Sequence, residues 1–104
     1  MIQLVLTTFG NAEDAAQVVR KLVEERHAAC GTILPKARSI YTWDGKIEDA
    51  EEAFVILKTT AGNAPALQER LKMLHPYETP EIITLEPKAV SGEYGRWISE
   101  NTLP

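Results

Sequence analysis

The sequence predicts a single α+β domain, residues 1–104, in which two helices cover one face of a four-stranded antiparallel sheet. The 104 residues are 44% hydrophobic and 25% charged, which suits one globular domain. The segment 7–12 recurs as segment 59–64, half a chain later. Each half contains an apolar run, a Gly-Asn turn and a helical pattern. The elements therefore follow the β-α-β-β-α-β order of the ferredoxin-like split βαβ sandwich.

The first half begins with an apolar strand, Ile2 to Thr7, and continues in a helix that Asn11 caps. Residues Cys30 to Trp43 are predicted to be extended, with either an interruption or a sheet edge at Pro35, because proline lacks the N–H that a strand interior needs. The apolar stripe of the helix has helical spacing and consists of Ala15, Val18, Val19, Leu22 and Val23.

A long hairpin and a second helix begin the other half. Asp44-Gly45 predicts a two-residue turn, because a type I′ turn requires positive φ at both central residues. The return strand runs from about Lys46 to Thr59, so the hairpin should project beyond a small domain. The second helix starts after Asn63 and ends at Pro76.

The C-terminal part adds a fourth strand, Glu81 to Glu86, and a short helix that Ser91 caps. Since both long helices cover one face of the sheet, the other face is left bare. Large exposed apolar surfaces are rare on monomers, so an oligomer is predicted.

Charge and cysteine content exclude several classes of protein. The net charge of −4 argues against a nucleic-acid partner. No apolar run approaches the roughly 18 residues of a membrane span. The single cysteine, Cys30, rules out an internal disulfide framework. The first residues have no signal-peptide pattern, so the predicted location is the cytoplasm.

The segment from His75 to Glu81 is the first candidate site. It holds an imidazole, a phenol and two carboxylates between two prolines, and imidazole and carboxylate groups bind Zn²⁺ or Cu²⁺. The alternative is that His75 only belongs to the end of the second helix, which Pro76 terminates.

Cys30 and the nearby His27 form a second candidate, because a thiolate and an imidazole three residues apart can hold one metal ion. Two ligands do not make a structural zinc site, and a lone cysteine is often simply buried. A Cys/His nucleophilic pair would need a base and an orienting group that the sequence does not supply.

An acidic tract surrounds the hairpin turn. On a strand, Glu48 and Glu52 share one face, whereas Asp49 and Glu51 take the other. The tract is interpreted as a solvated hairpin that resists aggregation at its edge. Lys58 is unusual, because it lies at the end of an apolar strand and needs an anionic partner if it is buried.

Several segments of the chain together form a recognisable pattern, and they include Ser39-Ile40-Tyr41, Trp43-Asp44-Gly45-Lys46-Ile47-Glu48, Lys58-Thr59-Thr60 and His75-Pro76-Tyr77-Glu78-Thr79-Pro80-Glu81-Ile82. In these segments, and over nearly its whole length, the chain resembles the CutA family of divalent-cation tolerance proteins. The resemblance implies a homotrimer like that of the P-II signalling proteins, tolerance of copper and other divalent metals, and no established enzymatic reaction. It also implies clefts between subunits that gather Cys30, Trp43, Lys58, His75, Tyr77 and Glu81.

The resulting hypothesis is a trimeric metal-responsive binding protein, with copper or another divalent ion as its ligand and no catalytic residue. His75, Glu81 and Cys30 are predicted to bind the metal, and the ligand cleft is predicted to include Trp43, Lys58, Tyr77 and Glu78. Three alternatives stay open. They are a P-II-like trimer that binds a small anion through Lys58, a hydrolase or transferase that uses Cys30 or His75, and a scaffold with adventitious metal binding.

Overall fold

A computed structural model describes residues 1–104 and contains a four-stranded sheet with three helices. The sheet order is β2-β3-β1-β4, and all neighbouring strands are antiparallel. This confirms the predicted α+β ferredoxin-like arrangement. The fourth strand is shorter than predicted. In chain order the elements are β1 (Ile2–Phe9), α1 (Ala12–Glu24), β2 (Cys30–Trp43), β3 (Lys46–Thr60), α2 (Ala64–Leu74), β4 (Ile83–Leu85) and α3 (Gly92–Glu100).

The core lies between the sheet and helices α1 and α2. Alternate residues of β1 and β3 point into it, as the twofold periodicity of a strand requires. Gly31 of β2 lies directly under α1, because a Cβ at this position would be 2.6 Å from Val19 Cγ1 and 2.9 Å from Leu57 Cδ2. The fully buried apolar side chains of the core include Val5, Phe9, Leu22, Val55, Leu57, Leu67 and Leu71.

The opposite face of the sheet is largely open. Helix α3 covers only one end of it, where Ile98 packs with Ile2 and Ala29. Away from α3, the β4 side chains Ile83 and Leu85 are about half exposed. An apolar sheet face without a cover is therefore a property of the isolated chain, as the sequence predicted.

Strands β2 and β3 form a long hairpin that gives the chain its elongated shape. Its turn has positive φ at Asp44 (56°) and Gly45 (77°), as predicted. The pairing of β2 with β3 is irregular between Leu34 and Ala37, where Pro35 interrupts the ladder and Lys36 has a φ of 74°. The longest dimension of the chain is 44 Å, against 26 and 21 Å for the other two. None of the three helices combines the length and the hydropathy that a membrane span needs.

Candidate functional site

An open cleft lies where the hairpin meets the segment from Tyr77 to Glu81. Its volume is about 880 Å³. Most of the hairpin residues in its wall, including Ser39, Glu48 and Glu52, alternate along the two strands and share one face. The wall contains the carboxylates of Glu48, Glu52, Glu78 and Glu81, the aromatic rings of Tyr41, Trp43 and Tyr77, and the hydroxyls of Thr8 and Ser39.

Glu52 and Tyr77 join the two sides of this cleft. The Tyr77 hydroxyl donates a hydrogen bond to Glu52 Oε2 over 2.8 Å. The Glu52 residue is only 9% exposed, although the sequence predicted a solvated hairpin at this point. Burial first, and then the hydrogen bond to the Glu52 carboxylate, raise the pKa of Tyr77 to about 12. The pair therefore keeps a protonated phenol beside a carboxylate at neutral pH.

His75 lies behind the cleft wall and uses both of its ring nitrogens within the chain. Nε2 donates to the Thr8 carbonyl over 2.7 Å, and Nδ1 accepts the backbone N–H of Tyr77 over 3.1 Å. The ring stacks on Phe9, with 4.2 Å between the centroids. Burial lowers the pKa of His75, although the Thr8 carbonyl and Glu52 act in the opposite direction. The imidazole thus fixes the start of the Tyr77–Glu81 segment to the end of β1.

Cys30 lies far from His75. Cys30 of β2 pairs with Lys58 of β3, and Lys58 pairs in turn with Leu4 of β1. His75 contacts β1 at a different position, the carbonyl of Thr8. Four residues along a strand correspond to about 13 Å. Moreover, Cys30 belongs to the open sheet face, while His75 stacks on Phe9, a core side chain of the opposite face.

The surroundings of Cys30 are those of the open sheet face. The Cys30 thiol lies 3.8 Å from the Tyr94 hydroxyl of α3. Lys58 donates a hydrogen bond to Thr32 Oγ1 and makes no ion pair in the chain. Of the predicted site residues, the structure therefore brings together Trp43, Tyr77, Glu78 and Glu81 in one cleft, and it leaves out Cys30, Lys58 and His75.

The electrostatic character of the cleft is acidic. No lysine, arginine or histidine is among its lining residues. The two ion pairs of the chain, Glu25 with Arg70 and Asp49 with Arg38, lie elsewhere, as does a 3.6 Å contact between His27 and Glu25. Within the single chain, no three side chains of His, Cys, Asp or Glu converge closely enough to hold one metal ion.

The sequence analysis did not assign Glu48 and Glu52 to the cleft, because it interpreted them as part of a solvated hairpin. One signal for them was available, because the strand alternation already put Glu48 and Glu52 on the same face. The burial of Glu52 depends on Tyr77, which is 25 residues away in sequence, and no local pattern shows that contact.

Comparison with known proteins gives a consistent result. The family described as CutA1 divalent ion tolerance protein matches residues 3–101. The divalent-cation tolerance protein CutA of Thermus thermophilus is 43% identical over 102 residues, which cover 98% of this chain and 99% of the relative. Its solved structure superposes with a TM-score of 0.92.

Two archaeal structures extend the comparison. CutA1 from Pyrococcus horikoshii is 41% identical with a TM-score of 0.94, and the match covers 100% of both chains. The periplasmic divalent cation tolerance protein CutA from Archaeoglobus fulgidus is 31% identical with a TM-score of 0.92, over 97% of this chain and 98% of the relative. Sequence and fold agree along almost the full length, and these relatives are described as divalent-cation tolerance proteins. The chain therefore belongs to the CutA1 family of divalent ion tolerance proteins.

Proposed function

We propose that the chain binds a divalent cation, copper in particular, in the cleft between the hairpin and the Tyr77–Glu81 segment. The observation that carries this proposal is the set of four cleft carboxylates without a basic residue among them. Carboxylate oxygens bind divalent ions, and Cu²⁺ accepts oxygen and nitrogen donors. The same acidity disfavours a small anionic ligand in this cleft, and Lys58, the residue that the anionic alternative uses, lies outside it.

Within this proposal, Glu52 and Glu81 are the first ligands to consider. Glu52 is largely buried and has a carboxylate oxygen that accepts no hydrogen bond in the chain, so a cation would compensate its charge. Since one chain offers no group of three converging ligands, water or a neighbouring subunit must complete the coordination.

The roles of His75 and Cys30 as metal ligands stay predictions. A metal ion on His75 must displace either the Thr8 carbonyl or the Tyr77 N–H from its ring. Cys30 lies on the open sheet face. A metal ion bound to Cys30 could take further ligands from another subunit only if the chain forms an oligomer. A cytoplasmic location also stays a prediction, and the Archaeoglobus fulgidus relative is described as periplasmic.

Metal titration of the reduced protein with Cu(I), Cu(II) and Zn(II) tests the cleft proposal. We expect one Cu(II) per chain and at least a tenfold loss of affinity, about 1.4 kcal/mol, in Glu52→Gln and Glu81→Gln. Glu51→Gln is the matched control, because Glu51 is adjacent in sequence but outside the cleft. Equal losses in Glu51→Gln and Glu52→Gln would contradict the proposal. A loss confined to Cys30→Ser and His75→Ala would instead support the thiolate and imidazole ligands.

We further propose that the chain assembles as a homotrimer through its open sheet face and hairpin. Ile83 is 47% exposed on that face, and Trp43 is 58% exposed near the hairpin turn. Apolar surface of this extent is typical of subunit interfaces. The hairpin contributes to the 44 Å length of the chain, which supports a contact between the hairpin and a neighbouring subunit.

Sedimentation equilibrium tests the assembly. The expected mass is three times that of the chain, and Ile83→Lys should shift the distribution to monomers, because it puts an ammonium group into an apolar interface. Met73→Lys is the control, since Met73 is 75% exposed on α2, outside the open face. A monomeric wild-type protein, or equal effects of both substitutions, would refute the proposed interface.

A further inference from the structure

We propose that α3 and the four residues after it form a strap that closes over one end of the open sheet face, and that Arg26 holds this strap closed. The strap consists of residues 92–104. In its closed position it belongs to the surface that a neighbouring subunit binds. That last part of the inference rests on the homotrimer proposed above, whereas the role of Arg26 does not.

The backbone of Arg26 provides the first observation. Arg26 follows α1 with a φ of 63°. Its N–H donates to the Val23 carbonyl, and the N–H of His27 donates to the Leu22 carbonyl, both over 3.0 Å, which is the Schellman arrangement of a helix end. Glycine is usual at this left-handed position, because a Cβ is strained there. An arginine kept in an unfavourable conformation indicates a second role for its side chain.

The side chain of Arg26 binds the end of α3. Its Nη2 donates to the carbonyls of Glu100 and Thr102, each over 3.1 Å, across 74 and 76 residues of sequence. The last turn of α3 contains no basic residue of its own. Since the carbonyls at the end of a helix lack partners and carry partial negative charge, a guanidinium group satisfies them well. Arg26 therefore supplies the cation that α3 lacks.

Two further hydrogen bonds attach the segment after α3 to the helices on the other face of the sheet. The Arg26 carbonyl accepts the N–H of Leu103 over 3.1 Å. Asn63, which precedes α2, donates its side-chain amide to the Leu103 carbonyl over 2.8 Å. The strap therefore runs from the open face, around the end of the sheet, to the end of α1 and the start of α2.

The apolar cluster under the strap is separate from the main core. Ile98 is fully buried and packs only with Ile2 and Ala29, whereas the main core contains eleven buried residues between the sheet and helices α1 and α2. A segment with little buried apolar surface opens at a lower free energy than the core. The strap can therefore open as a unit while the rest of the domain stays folded.

The closed strap places two aromatic rings beside the open sheet face. Tyr94 and Trp97 stack with 5.7 Å between their ring centroids, and each residue is 42% exposed. The Tyr94 hydroxyl lies near the Cys30 thiol, so this pair borders the open face. Exposed aromatic rings next to an apolar face are typical of a subunit interface. Opening of the strap removes both rings from this surface and should weaken the association of subunits.

Amide hydrogen exchange of the whole chain tests the strap with two substitutions that suit the adjacent helix ends. Arg26→Gly puts the preferred residue at the end of α1 but removes the guanidinium group. Asn63→Asp puts a favourable capping carboxylate before α2 but removes the amide that donates to Leu103. In both variants the hydrogen-bonded amides of the strap should exchange at least about tenfold faster, and those of α1 and β1 should be unchanged.

Two controls separate the role of Arg26 from effects of charge and assembly. Arg20→Gln also removes a positive charge, but Arg20 is exposed on α1 and forms no ion pair, so exchange should be unchanged. In the Ile83→Lys background, which is expected to be monomeric, the effect of Arg26→Gly should persist. If Arg26 only ends α1, Arg26→Gly should slow exchange or leave it unchanged throughout the chain, and this result would overturn the strap proposal.

Sedimentation equilibrium decides the link between the strap and assembly. Arg26→Gly should dissociate into monomers at protein concentrations at which the wild type is still a trimer. Faster exchange of the strap with no loss of trimer would refute this link. A monomeric wild-type protein would refute the homotrimer and the link together, whereas hydrogen exchange in that monomer would still decide the role of Arg26.

Discussion

Tyr77 donates a hydrogen bond to Glu52 over 2.8 Å, and this contact joins a loop to a hairpin strand that lies 25 residues earlier in the chain. It connects the two walls of the acidic cleft. The geometry of the cleft therefore depends on one phenol and one carboxylate, and the protonation of each affects the other.

The Tyr77 phenol should titrate with a pKa of about 12 in the folded protein, because burial and the Glu52 carboxylate both disfavour the phenolate. This pKa is above the ordinary value of 10.0, so the stability that Tyr77 contributes is present below pH 10 and is lost as the pH rises through about 12. Tyrosinate absorbance follows the titration, and Tyr77→Phe identifies its step. In Glu52→Gln the pKa of Tyr77 should fall, and an unchanged pKa would contradict the role of the carboxylate.

His75 should be neutral at pH 7, with its proton on Nε2, because Nε2 donates to Thr8 and Nδ1 accepts from Tyr77. Nitrogen chemical shifts report this tautomer. Burial lowers the pKa of His75 below 6.5, so its contribution to stability is present above pH 6.5 and decreases as the pH falls through the lowered pKa. The free energy of unfolding in urea, measured at a fixed protein concentration, should decrease as the pH is lowered in the wild type. The loss should persist in His27→Asn.

Removal of the His75 side chain should cost about 2–4 kcal/mol, because it leaves a cavity beside Phe9 and two backbone groups without partners. The free energy of unfolding of His75→Ala measures this cost. His27→Ala is the comparison, since the imidazole of His27 accepts and donates no hydrogen bond and makes only a 3.6 Å contact with Glu25. Equal costs would mean that the hydrogen bonds of His75 contribute little.

Gly31→Ala should destabilise the fold by about 1–3 kcal/mol, because the added methyl group would collide with Val19 and Leu57 in the tightly packed core. Chemical denaturation gives the free energy of unfolding. Gly62→Ala is the matched control, since a Cβ at Gly62 has no neighbour within 4 Å. If Gly31→Ala and Gly62→Ala were equally stable, the result would contradict the close approach of β2 to α1.

The ion pair between Glu25 and Arg70 joins the end of α1 to α2, with two hydrogen bonds of 2.8 Å. The hydrogen bonds from Arg70 lower the pKa of Glu25 below 4.5, so the stability that this pair contributes is present above pH 4.5 and is lost as the pH falls through the lowered pKa. In Arg70→Met the pKa of Glu25 should return toward 4.5, as a carboxyl NMR titration would show. Arg38→Met, which removes the ion pair with Asp49, should leave it unchanged.

The fold could be predicted from the sequence because its signals are local. The Asp44-Gly45 turn determines the hairpin, and helical spacing determines α1. Asn11 caps α1 as predicted, since its side chain accepts the N–H of Asp14. Asn63 precedes α2 but does not cap it with its side chain, because its amide donates to Thr60 and to the Leu103 carbonyl near the C-terminus.

The site was predicted only in part, because its residues meet through contacts between distant segments. The motif around Tyr77 and Glu81 could be recognised, and both residues line the cleft. Glu52 could not be recognised as a buried carboxylate, since the residues that precede it, from Lys46 to Glu51, are mostly charged and exposed. The separation of Cys30 from His75 follows from strand register and from the two faces of the sheet, which spacing along the chain does not reveal.

The central position of β1 in the sheet has a consequence for folding during synthesis. β1 is synthesised before both of its partners, which are β3, through pairs such as Ile2 with Thr60, and β4, through pairs such as Leu4 with Leu85. The hairpin of β2 and β3 closes through neighbouring residues and can form early, whereas β1 must wait for more than half of the chain. The nascent chain therefore carries an unpaired apolar strand until β3 has emerged, and the sheet is complete only after β4 follows.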